Sequence, residues 1–209
     1  MTTKQAAFHT LEEFDIELGG GVQYCTTIDP AFTNNTTAIA IVSSEEYAPF
    51  ASVVVASIIE NSSSNHYYDI VILTNDMLQR NRKRIIKQGE EMENVSIRVL
   101  DISKMIEGFS FYTWAHFTSN TYYRLLTPDI FVKYKTVLYL DSDTVVNHDI
   151  AELLEMNLDG YYLAAAYDTH VVAYCTQQPP LEQRAYNIKE LGMQEPEKYF
   201  QAGVSLFNI

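Results

Sequence analysis

The chain has 209 residues, 47% of them hydrophobic, enough for one sizeable core and one compact domain with an added segment. Its net charge of −13 repels polyanions and excludes DNA or RNA as a partner. A small phosphorylated ligand stays compatible, provided that a divalent cation bridges it to the protein.

Residues 1–36 read as an N-terminal extension, acidic, interrupted by Gly19-Gly20-Gly21 and ended by the polar "TNNTT"; a linker and a strap across the domain are both open. The extension lacks the charged-then-apolar layout of a signal peptide. The sequons at Asn34, Asn35 and Asn94 therefore read as chance matches. Cys25 and Cys175 fit reduced structural thiols better than a disulfide framework or a zinc site. No apolar run reaches the roughly 18 residues of a transmembrane helix. The expectation is a cytoplasmic protein, free or peripheral to a membrane.

From residue 37 onward a single domain is expected. "AIAIV" (38–42) predicts a strand, and "EEYAPFASVVVASIIENSS" a buried helix through Val53, Val54, Ile58 and Ile59. "YYDIVILT" (67–74) predicts a second strand, followed by a helix in "NDMLQRNRKRIIKQGEEM" capped by Asn75 or Asp76. "VSIRVLD" (95–101) predicts a third strand. The aromatic stretch "FSFYTWAHFTSNTYYRLLTPDIF" predicts a helix ended by Pro128. "TVLYLD" predicts a fourth strand, and "YLAAAYD" (162–168) and "YFQAGVSLFNI" (199–209) two more. Strands alternating with helices predict an α/β fold around a parallel, doubly wound sheet, and ligands then sit beyond the carboxyl ends of the strands. Those ends are Ser43-Ser44-Glu45-Glu46, Thr74-Asn75, Asp101 and Asp141-Ser142-Asp143.

Asp141 and Asp143 end a wholly apolar strand, with no basic residue in the adjoining sequence. A surface turn is one reading, although it suits Asp149 better, where "DIAE" resembles a capping box. A second is a haloacid-dehalogenase-type phosphatase, since "LYLDSDTVV" meets Asp-x-Asp-x-Thr/Val. There Asp141 would be nucleophile and Asp143 general acid/base beside Mg²⁺. That site also needs a later acidic pair, and no Gly-Asp or Asp-Asp follows residue 143. The third is a metal–diphosphate clamp, in which two carboxylates spaced i, i+2 hold one hard cation, Mn²⁺ or Mg²⁺, that supplies the missing positive charge.

Four ordered motifs favour the third. "SSEEYAPFASVVVASIIENSS", "TYYRLL" (121–126), "TVLYLDSDTVV" and "YFQAGVSLFNI" resemble the family-8 glycosyltransferases, which include bacterial lipopolysaccharide galactosyl- and glucosyltransferases and glycogenin. The resemblance covers roughly residues 37–209. It implies a GT-A (Rossmann-like) fold, a UDP-sugar donor, a divalent metal, a carbohydrate acceptor and hexose transfer with retention. By position it implies metal binding by Asp141 and Asp143, ribose contact by the Ser142 backbone, and uracil stacking by Tyr47. Arg124 would lie near diphosphate and sugar, Gln201, Ala202 and Gly203 against the donor sugar, and Asp168 against sugar or acceptor.

Two positions depart from the family pattern: Ser44 stands at the uracil-reading acid, and Gln201 replaces a usual asparagine. The family's metal-binding histidine, diphosphate lysine and catalytic acidic–amide pair are expected beyond Ile209, and none of His9, His66, His116, His148 or His170 sits in a His-x-x-Gly setting. A UDP-sugar-binding module without catalysis is therefore the non-enzymatic alternative.

Overall fold

The computed structural model describes residues 27–33, 36–113, 118–176 and 182–209. Expectations for residues 1–26, Asn34, Asn35 and His116 fall outside them. Strands β1 (Thr36–Val42), β2 (Tyr67–Thr74), β3 (Val95–Asp101), β4 (Thr136–Asp141), β5 (Leu163–Tyr167) and β6 (Phe200–Asn208) form one sheet in the order β3-β2-β1-β4-β6-β5. The first four are mutually parallel, and β6 runs antiparallel to both β4 and β5. The sheet is thus mostly parallel, with one reversed strand that the doubly wound expectation did not contain.

Strands β1, β2 and β4 lie inside the sheet and are buried almost throughout, which is why each is a near-continuous apolar run. Side-chain alternation divides their residues between two cores. Ile39, Ile41, Ile70, Ile72, Leu138 and Leu140 face helices α1 (Ala48–Glu60) and α2 (Gln79–Lys87) and the short α5 (Ala151–Leu154). Ala38, Ala40, Val42, Val71, Leu73, Leu100, Val137 and Tyr139 face Tyr123, Ile130, Phe131 and Tyr134, on and just beyond α3 (Asn120–Tyr123) and α4 (Thr127–Ile130). The remaining helices, α6 (Thr169–Thr176) and α7 (Glu182–Lys189), lie between β5 and β6 in sequence.

Three local expectations are corrected. Val53 is exposed; Ala48, Ala51 and Val55 join Val54 and Ile58 in the buried stripe of α1. Helix α2 begins at Gln79, so neither Asn75 nor Asp76 caps it. Pro128 opens α4 instead of ending a helix, because its missing N–H is no loss in a first turn. Ile150, not Asp149, is the N-cap of α5; Asp149 accepts from the Ala151 N–H at 2.9 Å, and its carboxylate also takes the Tyr68 hydroxyl at 2.7 Å.

A buried polar network ties residues 27–33 to the sheet. Asp69 accepts from Arg98 Nη2 at 2.6 Å and Nε at 3.1 Å, from the Tyr134 hydroxyl at 2.7 Å and from the Ala31 N–H at 2.9 Å. Arg98 Nη1 donates to the Asp29 carbonyl at 3.0 Å, and Ile28 N–H to Ile130 O at 3.0 Å. Burial, and then the Asp69 charge, raise the Tyr134 phenol far above its ordinary value, which keeps it a donor. Residues 27–33 are therefore a strap, with Ile28, Ala31 and Phe32 buried. Asp69→Ala leaves Arg98 buried without its counterion and should lower the unfolding free energy by about 3–5 kcal/mol in urea titration. A loss under about 1 kcal/mol would show that the network contributes nothing specific.

Candidate active site

The carboxyl edge of the sheet gathers most of the residues that the sequence singled out. Val42 pairs with Asp141, so Ser44 and Tyr47 lie just beyond the strand beside β4. Because β6 is antiparallel, its opening residues reach the same edge: Val204 pairs with Leu140, and Gly203 packs on Asp141. A β-carbon added to Gly203 would collide with Asp141 Oδ2 and would lie 2.7 Å from Gln201 Nε2. A side chain there would force Asp141 or Gln201 to shift.

Asp141 is not left unneutralised. The Tyr139 hydroxyl donates to its Oδ1 at 2.7 Å, and Arg124 Nη2 lies 3.0 Å from the same oxygen. The expectation of an unpaired carboxylate fails because the guanidinium arrives from a separate element. Residues Tyr139 and Asp141 share one face of β4, and the α3–α4 segment that carries Arg124 covers that face. Arg124 is held on three sides besides. Its Nε donates to Thr121 O at 2.9 Å, its Nη1 to Ala202 O at 2.7 Å, and its guanidinium carbon lies 5.0 Å from the Tyr139 ring centroid. Burial, and next the Asp141 charge, push the Tyr139 phenol far above its usual range, so the hydroxyl stays protonated and donating.

Asp143 lies beyond the strand and is exposed, whereas Ser142 between the two aspartates is buried. Thr144 closes the turn, its hydroxyl donating to Asp141 O at 2.9 Å. Gln201 folds back so that Oε1 accepts from the N–H groups of Gly203 at 2.6 Å and Val204 at 3.1 Å. Those two donors fix the amide's orientation and turn Nε2 toward the Gly203 side.

Ser44 and Tyr47 form a second group. Ser44 Oγ accepts from the Tyr47 N–H at 3.3 Å, and the Tyr47 ring is 45% exposed with its centroid 5.4 Å from that of Phe50. Asp168 is at the same edge beside the start of β6, its N–H donating to Tyr199 O at 2.9 Å. Its Oδ1 caps α6 by accepting from His170 and Val171 N–H groups, each at 3.0 Å.

Two residues escaped the sequence reading. Tyr139 was legible only as core, although its i, i+2 spacing to Asp141 put both on one face. Glu45 was taken as a strand end. Its Oε2 accepts from the Leu78 N–H at 2.8 Å and its Oε1 takes Arg80 at 2.8 Å and Asn81 at 3.0 Å, so it caps α2 from across the edge. Its own N–H donates to Asp76 Oδ1 at 2.9 Å. No single short motif signals a cap supplied by a residue so distant in sequence.

The model of glycosyl transferase family 8 matches residues 38–209. The chain belongs to that family. Among solved structures, the WbbM bifunctional glycosyltransferase in its apo form superposes with a TM-score of 0.78 at 31% identity, over 89% of this chain and 34% of WbbM. The galactosyltransferase LgtC, solved in complex with donor and acceptor sugar analogues, gives 0.65 at 24% identity, over 82% of this chain and 58% of LgtC. The sheet is accordingly that of a GT-A fold. The glycosyltransferase GlyF of Streptococcus pneumoniae serotype 4 is 32% identical over 87 residues, 42% of this chain and 21% of GlyF. The matched segment is thus about a fifth of that curated relative's length. Family and fold are those of glycosyltransferases and not of a haloacid-dehalogenase-type phosphatase. Among the described residues no helix is long and apolar enough to cross a membrane.

The Leu78 N–H and Arg80, with the other groups bonded to it, hold the Glu45 carboxyl below its ordinary value, the Leu78 N–H having the largest effect. A lowered folded value means that this cap is present above the ordinary carboxylate pKa and lost as pH falls through the folded one. Glu45→Gln should therefore speed amide exchange at Leu78 at neutral pH. Wild-type protection there should approach the variant's as pH drops through the carboxylate range; a pH-independent difference between the two would refute the assignment.

Proposed function

We propose that this chain binds the donor of a retaining hexosyl transfer, a UDP-glucose or UDP-galactose, and presents it with a divalent cation to a carbohydrate acceptor. The observation that carries the reading is the meeting of Asp141, Arg124 and Gly203 at the carboxyl edge of a family-8 sheet. In support, the related LgtC was solved with donor and acceptor sugar analogues.

The donor set fits a hard cation. In this reading Asp141 and Asp143 are the carboxylate ligands, and among the described residues no third histidine, cysteine, aspartate or glutamate joins them. Mg²⁺ and Mn²⁺ suit such a site, because substrate phosphates and water complete the shell. When bound, the cation stabilises the charge that develops on the departing diphosphate. The protein's own residues do the rest. Tyr47, half exposed, offers a face to the uracil; Ser44 and the Ser142 backbone address base and ribose. Arg124 brings a second positive charge to the diphosphate side, and the Gln201–Gly203 turn lets the sugar approach the backbone. Asp168, just past β5, would meet a sugar or acceptor hydroxyl through the oxygen that does not cap α6. In the proposed division residues 1–36 are an extension, of which 27–33 pack on the domain as a strap and Thr36 opens β1.

The test is calorimetry of UDP with Mn²⁺, with Mg²⁺ and in EDTA. UDP should bind measurably only with a cation, and Asp143→Ala should abolish the cation's effect. Equal affinity in EDTA would overturn the reading. An aspartyl-fluoroberyllate adduct at Asp141, with Mg²⁺-dependent phosphate release, would put a phosphatase in its place.

A further inference from the structure

The two oxygens of Asp141 lie in unlike surroundings. Oδ1 takes both the Tyr139 hydroxyl and the Arg124 guanidinium. Neither is hydrogen-bonded to Oδ2, which lies over the bare Cα of Gly203 in the space that a side chain would fill. The torsion that exchanges the two oxygens of an aspartate is broad, so an unrestrained carboxylate presents either one. Two donors on a single oxygen remove that freedom. Tyr139 is suited to the task, because it is 1% exposed and packed in the core face of β4, and its hydroxyl donates to Oδ1.

We propose that Tyr139 is a positioning residue for the cation site: with Arg124 it pins Oδ1, and so commits Oδ2, in the gap kept open by Gly203, to the metal. The inference rests on the donor-binding reading above and adds to it a residue that touches neither metal nor substrate. It also gives Gly203 a reason separate from sugar contact. A fixed ligand lone pair binds a cation more tightly than a rotating one, because the ordering is done during folding.

The experiment measures Mn²⁺ affinity of the 209-residue protein by electron paramagnetic resonance of free Mn²⁺, with UDP in excess. Melting temperature in EDTA is recorded for each variant. Tyr139→Phe keeps the ring and removes only the hydroxyl; it should weaken Mn²⁺ binding about 10-fold or more. A purely structural role would lower the melting temperature in EDTA while the folded protein kept wild-type Mn²⁺ affinity, and that result overturns the proposal. Gly203→Ala gives an independent measurement should Tyr139→Phe not fold. Gly203 is not among the positive-φ glycines, so alanine suits its backbone, while its β-carbon displaces Oδ2. It should also lose Mn²⁺ affinity, and wild-type affinity in Gly203→Ala would overturn the commitment of Oδ2. Failure of the wild-type protein itself to take up Mn²⁺ with UDP would defeat the donor-binding reading, and the inference with it.

Discussion

The reversed strand β6 is the constraint on which the site depends. Antiparallel pairing with β4 sets the beginning of one strand beside the end of the other, so the Gln201–Gly203 turn meets Asp141 at the carboxyl edge. A parallel β6 would carry the same three residues to the opposite edge, some six residues of strand away at about 3.3 Å each. Arg124 depends on the same reversal, since its Nη1 rests on Ala202 O while its Nη2 faces Asp141. One pairing thus aligns a carboxylate, a guanidinium and a side-chain-free backbone segment.

The two faces of the sheet divide the work. The face under α1 and α2 buries a large apolar cluster, with the Arg82–Asp101 pair buried at its carboxyl end. The other face carries charge near both ends of its strands. Near the amino end, Asp69, Arg98 and Tyr134 are deeply buried and bond one another fully enough to offset desolvation. At the carboxyl end, Asp141 and Arg124 are only partly buried. The first set anchors the strap; the second remains accessible to a ligand. Burial, more than residue type, separates the structural ion pair from the one at the site.

Much of the fold was legible because buried strands announce themselves. The limits of β2, β3 and β4 coincide with "YYDIVILT", "VSIRVLD" and "TVLYLD", each an apolar run bounded by polar residues. Direction was not legible: "FQAGVSLFN" has no mark that it runs against its neighbour. Nor was the start of α2, whose cap comes from Glu45 across the edge. For the site, the aspartates, Arg124 and Gly203 stood out in the chain, but their mutual contact is tertiary. The expectation that no cation neutralises Asp141 failed for that reason, since only adjoining residues had been inspected. Tyr139 was hidden by its own burial, which reads as core until the partner of its hydroxyl is known.

The pairing of Arg124 with Asp141 also bears on how such a site can exist before a ligand arrives. A carboxylate partly withdrawn from water and left alone would carry a desolvation cost, and the guanidinium offsets it. The pair is only partly buried, so it stays within reach of a ligand. Arg124 is held by Thr121 and Ala202 as well as by Asp141. Tyr139 likewise keeps its hold on Oδ1 from within the core. On the proposed reading, an arriving cation and diphosphate would then meet a carboxylate already oriented and an arginine already in place. The fixed groups around them were ordered when the chain folded.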